Sequence, residues 1–324
     1  MLSGTPGHLE QFANDLSKKY LVKVRGILGP EPTDMNAITV LHRRLQWTRR
    51  GLQVEADPKH VSIVLQELGL EDARGSNITG TRRELEEDDE PLDRTDTARY
   101  RSIVARCNYV STDRPDVQFS VKELCRDMSS PTLSSWSRLK RFGRYLRRHP
   151  RAVIQLDQQN SAVTLDVFAD TDYAGCRKTR RSTNGGCAMI GGHCVKSWST
   201  TQSIVALSSG EAEYYGLVKA GCVAIGLRAL CLDLNVPLEI RLFTDSSAAK
   251  GICRRRGHGK VRHIDVQYLW LQERVQSGDL ALKSLPGRDN PADMMTKHVD
   301  SETCARHLAR ISVERVAHET SAGK

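Results

Sequence analysis

The stretch Val163-Thr-Leu-Asp-Val-Phe-Ala-Asp170 alternates apolar and polar residues and ends on an acid. A period of two predicts a β-strand with one buried face. The residues before Arg151 have a helical period instead, so the change of period separates two kinds of structure. We therefore predict that a mixed α/β domain follows this change.

The elements after this strand indicate a mixed sheet with helices. Residues 186–198 predict a hairpin that turns at Gly191-Gly192. Residues 208–234 predict a long helix, and residues 238–245 alternate again as a strand. The other predicted elements are a helix from 246, a helix over 263–276, a strand over 280–285 and a last helix opened by Pro291.

The first half of the chain predicts a compact N-terminal region and a helical region. Apolar residues at helical spacing predict a helix over 8–22, and residues 38–70 predict short strands followed by a helix. The acidic run at 84–91 predicts a solvated linker, and residues 97–150 predict helices. The predicted domains are 1–90, 91–155 and 156–312, followed by a flexible tail at 313–324.

The last helix of this region is strongly basic. Residues 136–151 include seven Lys or Arg residues and no acid. Leu139, Phe142 and Leu146 continue an apolar stripe that begins at Trp136, so the arginines cover the opposite face. Such a face is either solvated or in contact with a polyanion, and the sequence leaves both interpretations open.

The composition of the 324 residues, 39% hydrophobic and 27% charged, excludes a membrane-spanning or mainly disordered class. A net charge of +9 favours a polyanionic partner. Nine cysteines without a C-x-x-C spacing predict reduced thiols. No signal-like start and no apolar run of about 18 residues is evident. We therefore expect an intracellular location, in the cytoplasm or nucleus, and no membrane partner.

Four acids fall where predicted elements of the mixed domain begin or end. Asp170 and Asp245 end strands, Glu213 lies in the first turns of the long helix, and Asp293 begins the last helix. Hydrolysis of a phosphodiester by water uses two hard cations about 4 Å apart, and Mg²⁺ prefers carboxylate ligands. Three or four converging acids would supply such a site, and without cations or protons they would repel one another.

These acids also have a structural interpretation. Glu211 follows Ser208 at the spacing of a capping box, which leaves Glu213 without a capping role. Asp245 and Asp293 both fit the capping positions of the helices that follow or contain them. The metal site and the helix caps therefore both remain open at this point.

Two other patterns are weaker. Asp170-Thr-Asp172 is similar to the D-x-D pair of metal-dependent glycosyltransferases, a pattern that often occurs by chance. His258 and His263, near Asp265, lack a further ligand at metal-binding spacing. We interpret these histidines as structural or substrate-contacting residues.

Seven blocks occur in order along the second half of the chain. They are Phe168-Ala-Asp-Thr-Asp-Tyr-Ala-Gly175, Arg181-Ser-Thr-Asn-Gly185, Ser197-Trp-Ser-Thr-Thr-Gln202, Ala206-Leu-Ser-Ser-Gly-Glu-Ala-Glu-Tyr214, Thr244-Asp-Ser246, Arg262-His-Ile-Asp265 and Asn290-Pro-Ala-Asp293 with Thr296-Lys297. Together they resemble the ribonuclease H segment of the Pol polyprotein of copia-type LTR retrotransposons. Tyr100-Arg-Ser-Ile-Val104 and Arg114-Pro-Asp116 resemble the stretch before it, and Leu45-Gln-Trp47 resembles the end of the reverse transcriptase.

The resemblance implies an α/β fold with a ribonuclease H-like mixed five-stranded sheet and flanking helices. A partial reverse-transcriptase palm and thumb and a helical connection would precede it. It implies four catalytic, metal-binding acids: Asp170, Glu213, Asp245 and Asp293. They would bind two Mg²⁺ ions, with Mn²⁺ able to substitute, and no small-molecule cofactor. Spacing alone leaves Asp170 and Asp172 open, because both lie on one face of a strand, and the resemblance favours Asp170. Tyr173 stands where the family has Trp, a conservative change expected to affect packing.

The implied function is hydrolysis of the RNA strand of RNA–DNA hybrids, which leaves a 5′ phosphate. Contacts to 2′-hydroxyl groups would select RNA. The residues expected to contact the nucleic acid are Gln202, Ser209, Ser246, Arg141, Arg144, Arg147 and Arg148. The catalytic Tyr-x-Asp-Asp hairpin of the polymerase would lie before Ser3, so we expect no polymerase activity. The alternative is a catalytically silent remnant that only binds nucleic acid.

Overall fold

The computed structural model describes residues 4–81, 89–160, 163–259 and 263–316. These residues form an α/β structure with two five-stranded sheets. The predicted α/β class is therefore confirmed. Most of the acidic run at 84–91 that predicted a linker lies outside the described residues, as does Arg262.

The helices and strands follow one another in this order: α1 (Pro6–Lys19), β1 (Ala37–Val40), β2 (Arg43–Thr48), β3 (Gly51–Ala56), α2 (Pro58–Leu68), α3 (Arg94–Ser111), α4 (Gln118–Cys125), α5 (Leu133–Arg148), β4 (Arg151–Asp157), β5 (Thr164–Asp172), β6 (Thr183–Ile190), β7 (His193–Thr201), α6 (Ser209–Asp233), β8 (Glu239–Thr244), α7 (Ser247–Arg254), α8 (Trp270–Gln276), β9 (Leu280–Ser284), α9 (Ser301–Arg310) and β10 (Val313–Val316). Short 3₁₀ helices cover Val266–Tyr268, Gly287–Asp289 and Pro291–Met295.

The first sheet is antiparallel throughout and has the strand order β1-β2-β3-β4-β10. Gly51 begins β3 at a φ of 140°, and a Cβ atom there would lie 2.2 Å from the carbonyl oxygen of Leu156 on β4. Only glycine combines this backbone conformation with so close an approach of the neighbouring strand. The turn before β3 therefore depends on a residue without a side chain.

This sheet corrects the expected organisation of the chain. Neither β4 nor β10 was predicted, and β10 occupies the start of the tail that was expected to be flexible from 313. In the structure Val313 pairs with Ile154, and Val316 pairs with Arg151. Strands from the predicted N-terminal region, the connection and the tail thus share one sheet. Residues 317–324 of the tail lie outside the described residues.

The helical region packs around the apolar stripe of α5. Leu139, Phe142 and Leu146 are all at most 2% exposed, in one core with residues of α2, α3 and α4, while Trp136 is half-buried at its edge. Thr132 caps α5 by accepting a hydrogen bond from the backbone of Ser135. The predicted apolar stripe is confirmed, and the helix ends at Arg148, just before Pro150.

The second sheet is mixed, with the order β7-β6-β5-β8-β9. Strands β5, β8 and β9 run parallel to one another, whereas β6 and β7 are antiparallel neighbours on the other side of β5. The predicted hairpin is confirmed, with Gly191 at a φ of 59° in the turn. The central position of β5 explains why its odd-numbered side chains from Leu165 to Ala169 are almost fully buried.

The last predicted helices needed correction. Residues 266–276 form a 3₁₀ turn followed by α8, rather than one helix over 263–276. Pro291 opens only a short 3₁₀ helix, and the regular helix near the end of the chain, α9, was not predicted. Asp300 caps α9 by accepting a hydrogen bond of 2.8 Å from the Thr303 backbone.

Helix α6 is long and apolar enough to cross a membrane, by length and composition alone, and in the described ranges no other helix meets that test. This differs from the expectation that no apolar run has that length. The helix packs against β5, β6, β8 and α7, and Ala212, Leu217 and Ala220 are fully buried there. Its apolar composition is accounted for by its place in the core of the mixed domain.

A buried ion pair joins the helical region to the first sheet. The side chains of Arg114 and Asp116 are 1% and 0% exposed, and two hydrogen bonds of 2.9 and 2.7 Å link them. Arg114 also donates to the carbonyl oxygens of His149 and Pro150 at the end of α5, and Tyr145 donates to Asp116 at 2.8 Å. Burial alone would raise the pKa of Asp116, but the Arg114 guanidinium and these hydrogen bonds hold it below its usual value.

Replacing Asp116 by Asn should destabilise the fold by about 3 kcal/mol or more, because it leaves the buried Arg114 charge without its partner. Denaturant unfolding, followed by circular dichroism, measures this difference. The matched control is Asp15→Asn, which removes the exposed partner of Lys18 and should cost less than about 1 kcal/mol. Equal effects of the two substitutions would contradict the proposed role of the buried pair.

Candidate metal centre

Three of the four predicted acids converge at one edge of the mixed sheet. Asp170 lies near the end of β5, Asp245 directly follows β8, and Glu213 lies in the second turn of α6. Each offers a carboxylate oxygen, and these oxygens all lie within 4.8 Å of one another. Because β5 and β8 are parallel, their carboxyl ends meet at one edge, which is where sites form in open α/β sheets.

Helix α6 brings Glu213 to the strands because small side chains line its contact with them. Gly216 lies against β5, and a Cβ atom there would be 2.5 Å from the Thr171 hydroxyl oxygen. Ala212 is fully buried, and its carbonyl oxygen accepts hydrogen bonds from Thr171 and Gln202. The close packing of this turn therefore fixes the position of Glu213 relative to the ends of β5 and β8.

The fourth acid, Asp293, lies beside these three but outside the group that shares the 4.8 Å limit. It lies in the 3₁₀ helix Pro291–Met295, which Asn290 anchors by donating 2.9 Å to the carbonyl oxygen of Ala169 on β5. Asn290 also caps that helix, since it accepts from the Ala292 backbone. Asp293 forms an ion pair of 3.0 Å with Lys297 and shares a hydrogen bond with Asp170.

The site carries more negative charge than the protein balances. Burial, followed by the charges of Asp170 and Asp245, raises the pKa of Glu213 to about 9. Burial also raises the pKa of Asp170, Asp245 and Asp293, and neighbouring carboxylates add to each effect. Because the fold holds these buried carboxylates close together, binding of a cation or retention of a proton would relieve their repulsion.

Two residues that the sequence did not assign stabilise this cluster. Burial lowers the pKa of Lys297, but Asp170, Asp293 and Asp245 outweigh that effect and leave it raised. The buried hydroxyl of Thr296 donates to Asp170. Both residues belong to the block that carried the resemblance, but only the three-dimensional packing shows that they contact the acids.

Of the two residues that spacing left open, Asp170 belongs to the convergent group and Asp172 does not. Asp172 instead interacts electrostatically with Lys122 of α4. Burial lowers the pKa of Lys122, and the negative charge of Asp172 opposes part of that effect. Tyr173, which was expected to matter for packing, is 42% exposed and therefore lies largely at the surface.

Ser208 is the predicted N-cap of α6, but the carboxylate of Glu211 accepts from the Leu207 backbone and not from the Ser208 backbone that a capping box requires. The backbone of Glu211 donates to the Ser208 hydroxyl at 3.2 Å, and its buried carboxylate also accepts from the Tyr215 hydroxyl. His263 lies 2.7 Å from the same carboxylate. This contact agrees with the structural interpretation of His263, and His258 joins no candidate metal group within the described part of the chain.

The residues predicted to contact nucleic acid differ in accessibility. Gln202 is 4% exposed, and its amide donates to Asn184 and to the Ala212 carbonyl, so it is unavailable to a ligand. Ser246 caps α7 by accepting from the Ala249 backbone. Ser209 is exposed. The structure thus argues against Gln202 and leaves Ser209 accessible.

Three arginines of α5 donate hydrogen bonds to the segment at 71–81. Arg141 donates to Thr81 at 2.5 Å, and Arg148 donates to Asn77 at 2.6 Å. Arg147 donates to the carbonyl oxygen of Glu71. These contacts keep the positive charge but occupy donors that were expected to face a nucleic acid.

No family model matches the chain. It is 31% identical over 225 residues to a retrovirus-related Pol polyprotein from transposon RE1, and 30% identical over 224 residues to that from transposon RE2, both of Arabidopsis thaliana. It is 27% identical over 302 residues to the Pol polyprotein from transposon TNT 1-94 of Nicotiana tabacum. This chain is a homologue of the retrovirus-related Pol polyproteins of copia-type transposons.

The homology extends along most of the chain but reaches only part of these large proteins. The alignments cover 68%, 68% and 90% of the chain, whereas the chain spans 15%, 15% and 22% of RE1, RE2 and TNT 1-94. The resemblance that the sequence blocks indicated is therefore confirmed at the level of the Pol polyprotein.

Replacing Glu213 by Gln should remove a pH dependence of stability in the metal-free protein. The pKa of Glu213 is about 9 in the fold and near 4.5 in the unfolded chain, so between these values the folded state retains a proton that the unfolded state releases. Stability of the unmodified protein should fall as pH rises through this window, relative to the Gln variant. Thermal unfolding in EDTA at pH 6, 7, 8 and 9 measures the difference.

The control for this prediction is Glu302→Gln, in the exposed first turn of α9, which should keep the same pH profile as the unmodified protein. A Glu213→Gln variant whose profile parallels the unmodified protein across the whole window would show that Glu213 does not retain a proton.

Proposed function

We propose that this chain is a metal-dependent endoribonuclease that hydrolyses the RNA strand of RNA–DNA hybrids. The observation that carries the proposal is the convergence of Asp170, Glu213 and Asp245 within 4.8 Å at the carboxyl ends of two parallel strands. Homology to Pol polyproteins supports a nucleic-acid substrate, and the mixed five-stranded sheet supports a ribonuclease H-like domain.

The donor set fits Mg²⁺ or Mn²⁺. Every ligand in the group is a carboxylate, and oxygen ligands of this kind suit hard divalent cations, whereas zinc sites generally include His or Cys. The raised pKa of Glu213 is the expected state of such a group before cations neutralise it. Asp170, Glu213 and Asp245 would hold the ions, with Asp293 as a fourth ligand.

Bound divalent cations would supply an acidified water and charge stabilisation at the leaving 3′ oxygen. Water would add to phosphorus as the bond to the 3′ oxygen breaks, which leaves a 5′ phosphate. Within the protein, Thr296 orients the Asp170 carboxylate, and Asn290 ties the segment of Asp293 to β5. Lys297 pairs with Asp293 and limits the repulsion among the acids.

RNA would be selected through its 2′-hydroxyl groups, which DNA lacks. Ser209 is exposed in the first turn of α6, four residues before Glu213, so both side chains lie on one face of that helix. A hydroxyl at this place could accept or donate a hydrogen bond to the sugar next to the scissile phosphate. We keep an intracellular location, without a membrane partner, as part of the proposal.

The first half of the chain would correspond to the end of a reverse transcriptase and its connection to ribonuclease H. Helix α4 supports a connecting role, because it contacts the mixed sheet directly. Lys122 donates to Thr183 at 2.7 Å, and Arg126 donates to Thr201 at 3.0 Å. The proposed boundary near residue 90 does not separate the first sheet, which extends across it.

Asp245→Asn should abolish metal-dependent cleavage, because it removes one of the three convergent carboxylates. The measurement uses a labelled RNA–DNA hybrid and a matched DNA duplex, with Mg²⁺ or with EDTA. We expect cleavage of the hybrid RNA alone, with a loss of at least about 100-fold in the variant. Asp172→Asn is the matched control on the same strand face, and it should retain activity within several-fold.

Cleavage that persists in Asp245→Asn would contradict the assigned metal site. Absence of cleavage by the folded, unmodified chain, with binding of the hybrid retained, would instead favour the alternative of a catalytically silent nucleic-acid-binding remnant.

A further inference from the structure

The loop between β5 and β6 carries four exposed cations whose side chains have no hydrogen-bond or ion-pair partner among the residues that the structure describes. We call residues 176–181 the cationic loop; its basic residues are Arg177, Lys178, Arg180 and Arg181. None of their side chains forms a hydrogen bond or an ion pair with any residue in the described ranges. Four neighbouring like charges repel one another, and a bound anion would relieve that repulsion.

The cationic loop is closed by its own backbone. Arg180 donates from its backbone to the Cys176 carbonyl at 2.7 Å, and Cys176 donates to the Arg181 carbonyl at 3.2 Å. At the base of the loop, the Ala174 backbone donates to the Ser182 hydroxyl at 3.0 Å. Arg180 has a φ of 56°, which tightens the turn. The backbone is therefore ordered before any ligand binds, and binding loses less conformational entropy.

The loop extends directly from the strand that carries Asp170. Asp170 pairs with Gly185 and Asp172 pairs with Thr183, so the loop begins just beyond the acid cluster. At about 3.3 Å per residue, Tyr173 lies about 10 Å along the strand from Asp170, which is about three nucleotide steps along a duplex. Tyr173, which is 42% exposed, lies in the sequence between Asp170 and the cationic loop.

The arginines of α5 have fewer hydrogen-bond donors available for a phosphate than the cationic loop has. Three of the four arginines that were expected to follow the nucleic-acid backbone already donate to residues 71–81: Arg141, Arg147 and Arg148. A phosphate would have to replace those hydrogen bonds, whereas the cations of the loop have donors available without any such loss.

We propose that the cationic loop is the phosphate-binding surface that holds the nucleic-acid duplex across the acid cluster. Its four cations contact successive backbone phosphates on one side of the scissile bond, and Tyr173 contacts a sugar or base between them. The identity of the duplex as an RNA–DNA hybrid rests on the proposed function; the binding surface itself does not.

The test is a binding measurement in EDTA, where cleavage cannot occur. Fluorescence anisotropy with an RNA–DNA hybrid of about two helical turns compares the unmodified chain with the variant Arg177→Gln, Lys178→Gln, Arg180→Gln, Arg181→Gln. Four phosphate contacts predict a loss of about 100-fold in affinity between 50 and 200 mM salt in the unmodified chain. The variant should bind at least about 10-fold more weakly at 50 mM salt, with a salt dependence reduced by about three to four phosphate contacts.

A matched variant removes the same charge elsewhere: Lys18→Gln, Lys19→Gln, Lys23→Gln, Arg25→Gln. We expect this variant to bind within about threefold of the unmodified chain. That result would show that the loss of four positive charges is not by itself enough to weaken binding. A third variant replaces Arg141, Arg144, Arg147 and Arg148 by Gln. A larger loss of affinity in this third variant than in the loop variant would overturn the proposal, as would a loop variant that binds like the unmodified chain.

A second readout uses the unmodified chain and does not depend on how any variant folds. Cys176 lies within the cationic loop, and Cys222 is exposed on α6. A saturating hybrid should slow alkylation of Cys176 severalfold and leave Cys222 unchanged. An unchanged rate at Cys176 would overturn the proposal, and so would equal protection by polyglutamate, which would indicate an acidic protein as the partner. Because neither measurement requires hydrolysis, a failure of the proposed nuclease activity is distinguishable from a failure of this surface.

Discussion

The buried ion pair between Arg114 and Asp116 connects the two halves of this molecule. Its guanidinium donates to the last carbonyl groups beyond α5, and these donations direct the chain out of the helix and into β4. Strand β4 in turn lies between β3 and β10 in the first sheet. A charge pair without solvent is stable only when every donor and acceptor is satisfied, so the geometry of this junction is tightly constrained. The Tyr145 hydroxyl completes it.

In the mixed domain, by contrast, charge is left uncompensated. Asp170, Glu213 and Asp245 are drawn together by strands and a helix whose stability comes from the apolar core beneath them. Lys297 and Thr296 reduce the repulsion without removing it. The contrast between the two sites is physical: one pair of charges is satisfied internally and serves the fold, whereas the acid group remains in excess and is suited to bind an external cation.

Much of the mixed domain could be predicted from the sequence, because its signals are local. Alternation identified β5 and β8, a glycine pair identified the β6–β7 turn, and the acids stood at the ends of these elements, where three of them do converge. The strands β4 and β10 escaped prediction because both are stabilised by pairing with residues far away in the chain. The contact of Lys297 with the acids was missed, and Gln202 was wrongly assigned to the nucleic acid, for a related reason. Only packing shows that Lys297 contacts the acids and that Gln202 is buried.

The pairing of β10 with β4 has a consequence for synthesis on the ribosome. Residues 313–316 complete a sheet whose first strand begins at Ala37, so that sheet cannot be completed before β10 has been translated. Until then β4 presents an unpaired edge to other nascent or partly folded chains. Contacts of such large sequence separation also form slowly, because a long loop must close before any pairing stabilises it. The first sheet is therefore completed only after β10 emerges, whereas the mixed sheet has all its strands available as soon as β9 emerges.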